Sequence, residues 1–421
     1  MLLKDHGATN TQIAVIVSSI GAALNGLINP IVSYKSDRTR TRFGRRIPYL
    51  MVATPFLALM IALIPFAPEI TGAALKVPAL AWVLNIFPVA PVILMFGLLV
   101  VAFQSFNMVV GSIYYYLFRD VIPLDHLGRF LSSFRVVGTV ASFVFNYWIF
   151  GTAATHSREI FCGIAALYAA GFLLMCWRVK EGGYAPVAAL EKTTGGLTQA
   201  IRNFFVQSFG APLYRWMFFT RSLVLGAFIS APFSLFFARD QLGIGLDQIG
   251  KITAWSSVIC LPLAYPFGVL LDRWGSMRVL PLTLWAIILT NIACFLFIHD
   301  GRTLLVFASL NASAVFLFMI AQSVWLNRLF HHERIGQLSS ANALVGSVFG
   351  MFLAPICGQF LGWVNDYRYI YIWTILLTTL ALCSLVRTRS HWRKLGGHEH
   401  YQPPLPGAPL SAANAEAGYP E

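Results

Sequence analysis

The chain has 421 residues, of which 57% are hydrophobic and 11% are charged. Soluble globular domains carry about 25% charged residues, so this composition excludes an ordinary soluble protein and indicates a polytopic membrane protein. The net charge of +13 does not require a nucleic-acid partner, because an excess of Lys and Arg in cytoplasmic loops makes membrane proteins basic. The expected partner is therefore the lipid bilayer.

Eleven apolar stretches are long enough to cross a bilayer as helices of about 20 residues. They are predicted at residues 11–34, 48–67, 91–117, 129–150, 160–177, 217–237, 250–271, 279–298, 303–327, 339–363 and 369–386. The six cysteines fall within these runs without metal-binding spacing, which predicts small buried side chains and neither a metal site nor a cofactor.

Polar segments divide the chain into two helical bundles. We predict an N-terminal bundle over residues 1–178, a central linker over 179–216, a C-terminal bundle over 217–386 and a disordered tail over 387–421. Within the linker, the segment from Leu197 to Phe209 is amphipathic, which predicts a helix lying at the membrane surface.

The loop after the first span is strongly basic. It contains Lys35, Arg38, Arg40, Arg42, Arg45 and Arg46. Along the whole chain, 22 of the 30 Lys and Arg residues fall in the loops on this side of the predicted membrane, and seven fall on the other side. By the positive-inside rule, these loops, the linker and the tail are predicted to be cytoplasmic, in a multi-pass protein of the cell (inner) membrane.

The sequence contains an internal repeat. Asp37-Arg38 in the basic loop is matched by Asp272-Arg273 in a loop of the second half. Independently, residues 127–140 align without gaps on residues 335–348 and share Gly, Ser, Val, Gly and Val. Both matches place each copy on the same predicted side, so the halves repeat in parallel orientation.

The repeat predicts one more helix than the sequence shows. In the second half, one span precedes the span that leads into the loop motif, whereas in the first half none does. We therefore expect two six-helix pseudo-repeats with eleven of twelve helices visible and the first absent. A truncated gene model and a genuine eleven-helix protein are the two alternatives.

The repeated loop pattern, G-x-x-x-D-R-x-x-G-R-R, resembles the signature of the major facilitator superfamily. It is carried in the first half by Asp37, Arg38, Gly44, Arg45 and Arg46, and in the second half by Gly268, Asp272, Arg273, Gly275 and Arg278. The expanded first copy, with its additional Thr-Arg pairs, is more narrowly similar to the glycoside-pentoside-hexuronide cation symporters and the related sucrose/proton symporters. The resemblance implies the all-α major facilitator fold.

The loop motif is interpreted as a gating latch. An aspartate at a helix end that faces Arg and the amino end of a neighbouring helix can form charge-assisted hydrogen bonds that hold the two halves closed. The alternative is that the charges only enforce topology. For Asp37 and Asp272 the latch is favoured, since the positive-inside rule does not call for acids; for Arg40 and Arg42 topology is favoured.

The melibiose-type carriers of the resembled group have cation-binding aspartates at positions that are Asn25, Asn29 and Asn107 here. Amides can bind sugar hydroxyls but cannot neutralise sodium or carry a proton, so sodium symport is not expected. Arg135 matches a family arginine in the sugar-binding region, whereas its repeat partner is Ala343. Sugar binding and snorkelling towards the membrane surface are both open for this arginine.

Further polar residues within the spans complete the predicted substrate-binding set. They are Gln104, Tyr115, Asn311, Gln322 and Asn342, which join Asn25, Asn29, Asn107 and Arg135. Polar side chains at membrane depth tend to face a cavity, although hydrogen bonding between helices is the alternative for each. One arginine, Arg221, also lies within a span, and Gly346, Gly350 and Ala354 predict a close-packing stripe.

These features predict a secondary transporter that moves a saccharide or glycoside by alternating access, as a monomer. Proton coupling, an uncoupled facilitator and a transporter-like sensor remain alternatives. The spans contain no H-E-x-x-H or G-x-S-x-G motif, which argues against a membrane enzyme.

Overall fold

The computed structural model describes residues 2–122, 124–181, 197–330 and 335–404, and within them the side chains of some residues, including Asn29, Asp37 and Arg38, fall outside the description. Eleven helical stretches in these ranges are long and apolar enough to cross a membrane, and each overlaps one predicted span. The all-α polytopic fold is confirmed. Among the described residues, the only β pairing is an isolated bridge between Thr41 and Gly44.

The longer helices are labelled in chain order. They are α1 (Ile20–Arg38), α2 (Ile47–Leu63), α3 (Pro91–Val121), α4 (Leu124–Val144), α5 (Ser157–Arg178), α6 (Leu197–Phe209), α7 (Pro212–Ala227), α8 (Leu246–Ile259), α9 (Leu261–Trp274), α10 (Ser276–Phe297), α11 (Gly301–Leu329), α12 (Ile335–Val364) and α13 (Ile370–Lys394). Shorter helical segments are Leu2–Asp5, Asn10–Ala14, Val15–Ser19, Ile64–Phe66, Ala67–Ala74, Pro78–Asn85, Phe145–Ile149, Phe150–Thr152, Phe228–Phe233, Ser234–Phe236, Phe237–Gln241, Tyr367–Tyr369 and Gly397–His400.

The chain forms two compact units. Unit 1 comprises Met1–Ala188 with Met351–Trp363, and unit 2 comprises Ala189–Gly350 with Val364–Glu421. The core of unit 1 is built by α2, α3 and α5, where Leu50, Leu57 and Ile113 are fully buried. Leu50 and Leu57 are two helical turns apart, so one stripe of α2 faces this core.

The core of unit 2 is held by hydrogen bonds as well as by apolar packing, notably between α7 and α13. The Thr220 and Ser384 hydroxyl oxygens lie 2.8 Å apart, and Trp373 Nε1 donates to the Gly226 carbonyl at 3.0 Å. Hydrocarbon offers no water as a partner, so such bonds satisfy polar groups that would otherwise be costly to bury.

Two stretches differ locally from their prediction. The span predicted at 250–271 consists of two helices, α8 and α9, which meet at Cys260 because Pro262 has no backbone N–H to continue the helical hydrogen bonds. The connection between the second and third predicted spans, residues 68–90, contains the short helices Ala67–Ala74 and Pro78–Asn85.

The linker helix forms where the amphipathic pattern predicted it, as α6. The Phe209 ring at its end packs against the Phe218 ring of α7, with centroids 5.6 Å apart. Its position at the membrane surface stays a prediction, and residues 182–196 lie outside the described residues.

The beginning of the tail is folded. Helix α13 continues to Lys394, past the predicted span end at 386. The Tyr401 hydroxyl then donates to the Leu329 carbonyl at 2.8 Å, and the Tyr214 hydroxyl donates to the Pro404 carbonyl at 3.1 Å. These bonds hold residues 395–404 on unit 2, where the sequence predicted disorder. The remainder, 405–421, lies outside the described residues.

Candidate functional site

The basic loop between α1 and α2 is folded around a glutamate that follows the end of α5. Glu181 accepts hydrogen bonds from the backbone N–H groups of Arg45, Arg46 and Ile47 at 2.8, 2.8 and 2.6 Å. These amides lie at the amino end of α2, where N–H groups lack helical partners and a negative charge is favoured. The glutamate therefore caps α2 from the segment that follows α5.

The glutamate cap requires a glycine in the loop. Gly44 has φ +109°, a backbone conformation that other residues rarely adopt, and a Cβ at this position would lie 2.4 Å from Glu181 Cδ. The turn is closed by Thr41, whose N–H donates to the Gly44 carbonyl at 3.2 Å and whose carbonyl accepts from the Gly44 N–H at 3.0 Å. Gly44 is thus required both by the turn and by the approach of Glu181.

A second acid, Asp120 near the end of α3, pairs with both arginines of the loop. Its Oδ2 accepts from Arg45 Nε at 2.9 Å and from Arg46 Nε at 3.1 Å, and its Oδ1 accepts from Arg45 Nη2. Burial raises the pKa of Asp120, but hydrogen bonds from the two guanidinium groups and their charges outweigh it and hold that pKa below its usual value. Asp120 is therefore ionised at neutral pH.

Arg46 is the most buried charged residue of this group, at 4% exposure. Besides Asp120, it donates through Nη1 to the Ser36 hydroxyl, and its guanidinium lies 5.0 Å from the centre of the Tyr116 ring. A buried guanidinium is stable only when its charge and donors are satisfied, and these contacts do so. The network joins α1, α2, α3 and the end of α5 within unit 1.

The second copy of the motif, between α9 and α10, is exposed. Asp272 forms an ion pair with Arg328 at 3.5 Å, with 78% of the aspartate side chain and 50% of the arginine side chain exposed. Arg273 and Arg278 are exposed as well. Gly275 has φ +77° and ψ +150° and joins the two helices, which explains why this position is a glycine. A Cβ added at Gly268 would meet no described atom within 4 Å, so this glycine makes no close approach there.

The structure gives the predicted gating residues different surroundings. Arg45, Arg46 and Gly44 belong to the buried network of unit 1, whereas the side chains of Asp37 and Arg38 lie outside the described residues. Sequence reasoning missed Asp120 and Glu181. The signal that could have found them is the one used for Asp37, because an acid among basic loops is not needed for topology.

Among the predicted substrate-binding residues of unit 1, three lie on one face of α3. The spacing is three residues from Gln104 to Asn107 and eight from Asn107 to Tyr115, which brings the side chains near one side of a helix. Gln104 Nε2 donates to the Ile16 carbonyl at 3.0 Å, so this amide binds the neighbouring span. Asn107 and Tyr115 are exposed.

The other predicted residues of unit 1 lie on α1 and α4. Asn25 is part-buried on α1, and the side chain of Asn29 lies outside the described residues. Arg135 is exposed on α4, along with the neighbouring positions 133–138. The structure thus places Arg135 on an exposed face of α4.

In unit 2, the predicted residues lie on α11 and α12. Asn311 Oδ1 accepts hydrogen bonds from Thr290 Oγ1 at 3.1 Å and from Asn291 Nδ2 at 2.9 Å, so it joins α10 to α11. Gln322 and Asn342 are buried, and Asn342 Oδ1 has no hydrogen-bond partner among the described residues. Of these three amide side chains, Asn342 is therefore the one with a buried oxygen that still lacks a partner among the described residues.

The comparisons with known proteins agree with this architecture. A family model described as MFS/sugar transport protein matches residues 4–326. The chain belongs to this MFS family. Curated protein sequences give no match to this MFS protein. The family and the eleven apolar helices make it a multi-pass membrane transporter and not an enzyme.

Solved structures show the same fold at low sequence identity. A nucleoside transporter, NupG, matches this MFS protein with a TM-score of 0.66 at 14% identity, over 92% of each chain. A bacterial homologue of the human lysosomal transporter Spinster matches with a TM-score of 0.65 at 12% identity, over 96% of this chain and 93% of that chain. A D-xylose-proton symporter matches with a TM-score of 0.60 at 14% identity, over 91% and 89%.

Proposed function

We propose that this protein is a secondary transporter that moves a sugar or glycoside across the cell (inner) membrane by alternating access. The observation that carries the proposal is the sugar-transport family model, which matches residues 4–326. The similarity to a D-xylose-proton symporter is consistent with it but reports the fold alone. The linker and the tail are proposed to lie in the cytoplasm.

The polar residues of the spans suit a saccharide. Sugars present many hydroxyl groups and apolar ring faces, which amides and aromatic rings recognise. Asn107 and Tyr115 offer an exposed amide and an exposed phenol ring near one face of α3. Gln322 and Asn342 add buried amides in unit 2. We propose these residues, with Arg135, as saccharide ligands.

Uptake into proteoliposomes tests the proposal. The full chain is reconstituted and offered a panel of radiolabelled mono- and disaccharides and glycosides. We expect saturable uptake of at least one of them. Absence of saturable uptake across the panel, from protein that remains monodisperse, would contradict sugar transport.

Arg135→Ala tests the binding role of that residue. We expect it to abolish saccharide uptake and binding while the protein keeps its thermal stability, because the Arg135 side chain is exposed. The matched control is Arg202→Ala, which removes an exposed arginine from the linker helix. Wild-type affinity in Arg135→Ala would refute the role.

The network around Arg45, Arg46, Asp120 and Glu181 is proposed to set the balance between transport conformations. It holds the loop against the ends of α1, α2, α3 and α5 in unit 1, and charged bonds of this kind must be broken if those ends move. We expect Asp120→Asn to change the rate of exchange uptake without changing the substrate specificity.

Uncoupled facilitation is the second candidate. The acidic residues within the described spans are Glu69, Glu159, Asp240, Asp247 and Asp272, and each lies at most five positions from a span end. A coupling proton is more effectively carried by an acid deep in the span. Accumulation of the sugar against its gradient, driven by an imposed pH gradient, would favour proton symport instead.

A further inference from the structure

An apolar groove lies within unit 1, between α3, α4 and α5. Its volume is about 550 Å³, which falls within the range of about 300–1,000 Å³ that is usual for small-molecule sites. The described residues that line it include neither charged nor amide side chains, and its only side-chain hydroxyls belong to Tyr114 and Tyr168. The lining therefore suits an apolar ligand better than a sugar or a free ion.

Aromatic rings form the walls of the groove. The Phe118 ring of α3 lies 4.3 Å from the Tyr114 ring and 4.9 Å from the Phe130 ring of α4, between ring centres. On α5, the Tyr168 and Phe172 rings stack with centroids 4.6 Å apart. Such ring pairs are stabilised beyond their buried area, so contacts within unit 1 hold the walls in place.

The groove is open along α5. Gly171 lines it, and a Cβ added at this glycine would meet no described atom within 4 Å. Leu167, one helical turn earlier, also lines the groove and is 77% exposed, so the groove can be entered from the protein surface. Both residues lie within a membrane span, where hydrocarbon is the medium that an exposed apolar surface favours.

The length of the groove matches one leaflet of a bilayer. On α5 its lining runs from Leu167 to Val179, which is about 18 Å of helix at 1.5 Å per residue. Half of the hydrocarbon layer is about 15 Å thick. Leu167 lies near the middle of its span and Val179 directly follows the span end, so the groove runs from the membrane interior to its surface. A phospholipid acyl chain takes this course.

The surface end of the groove is basic. Arg178 and Lys180 flank Val179, and both are exposed. The Arg178 guanidinium lies 5.0 Å from the centre of the Trp177 ring, and Trp with Arg or Lys is typical of the headgroup level of a membrane. The next residue, Glu181, is an acid, but the loop amides bind it. The groove thus joins an apolar surface to positive charge, which matches an amphiphile with an anionic head.

We propose that the groove binds an anionic phospholipid of the cytoplasmic leaflet, with one acyl chain between α3, α4 and α5 and the phosphate on Arg178 and Lys180. The positive-inside rule places this end of α5 in the cytoplasm, and anionic lipids are concentrated in that leaflet. A soluble anion would not need the apolar groove, and a zwitterionic lipid would not need its basic end. The lipid site does not depend on the transported substrate being a sugar.

Native mass spectrometry of the full chain, released from detergent micelles with added lipid, tests the site. Phosphatidylglycerol and phosphatidylcholine with the same acyl chains are the anionic and zwitterionic probes, and glycerol 3-phosphate is the headgroup without chains. We expect phosphatidylglycerol to bind about tenfold or more tightly than phosphatidylcholine, because each basic residue near the headgroups attracts an anionic lipid. Glycerol 3-phosphate should not bind measurably.

Gly171→Leu tests the groove itself. The added side chain fills the open space, and we expect it to weaken phosphatidylglycerol binding about tenfold or more. The matched control is Gly163→Leu, which adds the same side chain on α5 at a position that is also open but does not line the groove. It should bind the lipid as the wild type does. Gly171→Val serves if Gly171→Leu is not monodisperse.

Arg178→Gln combined with Lys180→Gln tests the basic end. This double variant should lose the preference for phosphatidylglycerol and keep the wild-type affinity for phosphatidylcholine. Its control, Arg387→Gln combined with Arg393→Gln, removes two exposed charges from α13 in unit 2 and should retain the full preference. The control separates a local site from a general attraction of anionic lipid to a basic protein.

Four outcomes would overturn the lipid site. They are equal binding of the two lipids by the wild type, equal binding by Gly171→Leu and Gly163→Leu, equal preference in the two double variants, and glycerol 3-phosphate that binds as tightly as phosphatidylglycerol. The last would indicate a site for a soluble anion. Saccharide uptake in proteoliposomes is measured separately, so none of these outcomes contradicts the transport proposal.

Discussion

The two copies of the loop motif occupy different physical environments. In unit 1, the motif arginines are largely buried; their guanidinium groups bind Asp120 and their backbone N–H groups bind Glu181. In unit 2, Asp272 forms one exposed ion pair at 3.5 Å. A shared sequence pattern has thus produced a charge-satisfied network in one unit and a solvated pair in the other, so only the first is expected to contribute much to stability.

The largest effect is expected for Glu181→Ala. The substitution leaves three backbone N–H groups of α2 without their acceptor, and at about 1 kcal/mol each it should lower the free energy of unfolding by about 3 kcal/mol. Equilibrium denaturation in mixed micelles measures it. Glu159→Ala, an exposed acid in the first turn of α5, is the control and should change stability by less than about 0.5 kcal/mol. Equal losses of unfolding free energy in Glu181→Ala and Glu159→Ala would show that the Glu181 cap stabilises the fold no more than an exposed acid does.

A matched pair of substitutions compares the two copies directly. Asp120→Asn removes the charge that pairs with two largely buried arginines and should cost about 2 kcal/mol. Asp272→Asn removes a charge from an exposed pair and should cost between about 0 and 1 kcal/mol. If Asp272→Asn is the more destabilising variant under the same denaturation conditions, the contrast between the copies is wrong.

The stabilisation that Asp120 gives to the folded state should decrease as the pH falls. Because folding lowers the pKa of Asp120, its stabilisation is present above the ordinary aspartate pKa of about 3.9 and is lost as pH falls through the lower folded value. We expect the difference in melting temperature between wild type and Asp120→Asn to be constant from pH 7 to 5 and to shrink below about pH 4. A difference that grows as pH falls would contradict this sign.

The smallest effect concerns the Asp272–Arg328 pair. A double-mutant cycle with Asp272→Asn and Arg328→Gln should give a coupling free energy below about 1 kcal/mol, and 1 M salt should abolish it because both side chains are exposed. The same cycle on Asp120 and Arg45 should retain coupling in salt, since their side chains are only 11% and 20% exposed. If 1 M salt abolishes the coupling free energy of both pairs, the distinction between a buried network in unit 1 and an exposed pair in unit 2 is wrong.

The sequence by itself determined the membrane-spanning architecture. All eleven spans were predicted from runs of apolar residues, because the hydrocarbon thickness sets a minimum length that any local stretch either meets or fails. Gly44 and Gly275, both members of the predicted loop motif, have positive φ values that favour glycine. These properties depend on residues close together in the chain.

Only the tertiary structure decided which charges meet. Arg45 binds acids 75 and 136 positions away, and Asn311, predicted as a sugar ligand, proved to join α10 to α11. Arg221 is one of several polar residues within the predicted spans, and only the structure shows that α12 packs beside it at Gly346 and that nearby polar atoms are buried without partners in the described part of the chain. Composition can show that a group must find a partner in the membrane, but the packing of distant helices determines which partner it finds.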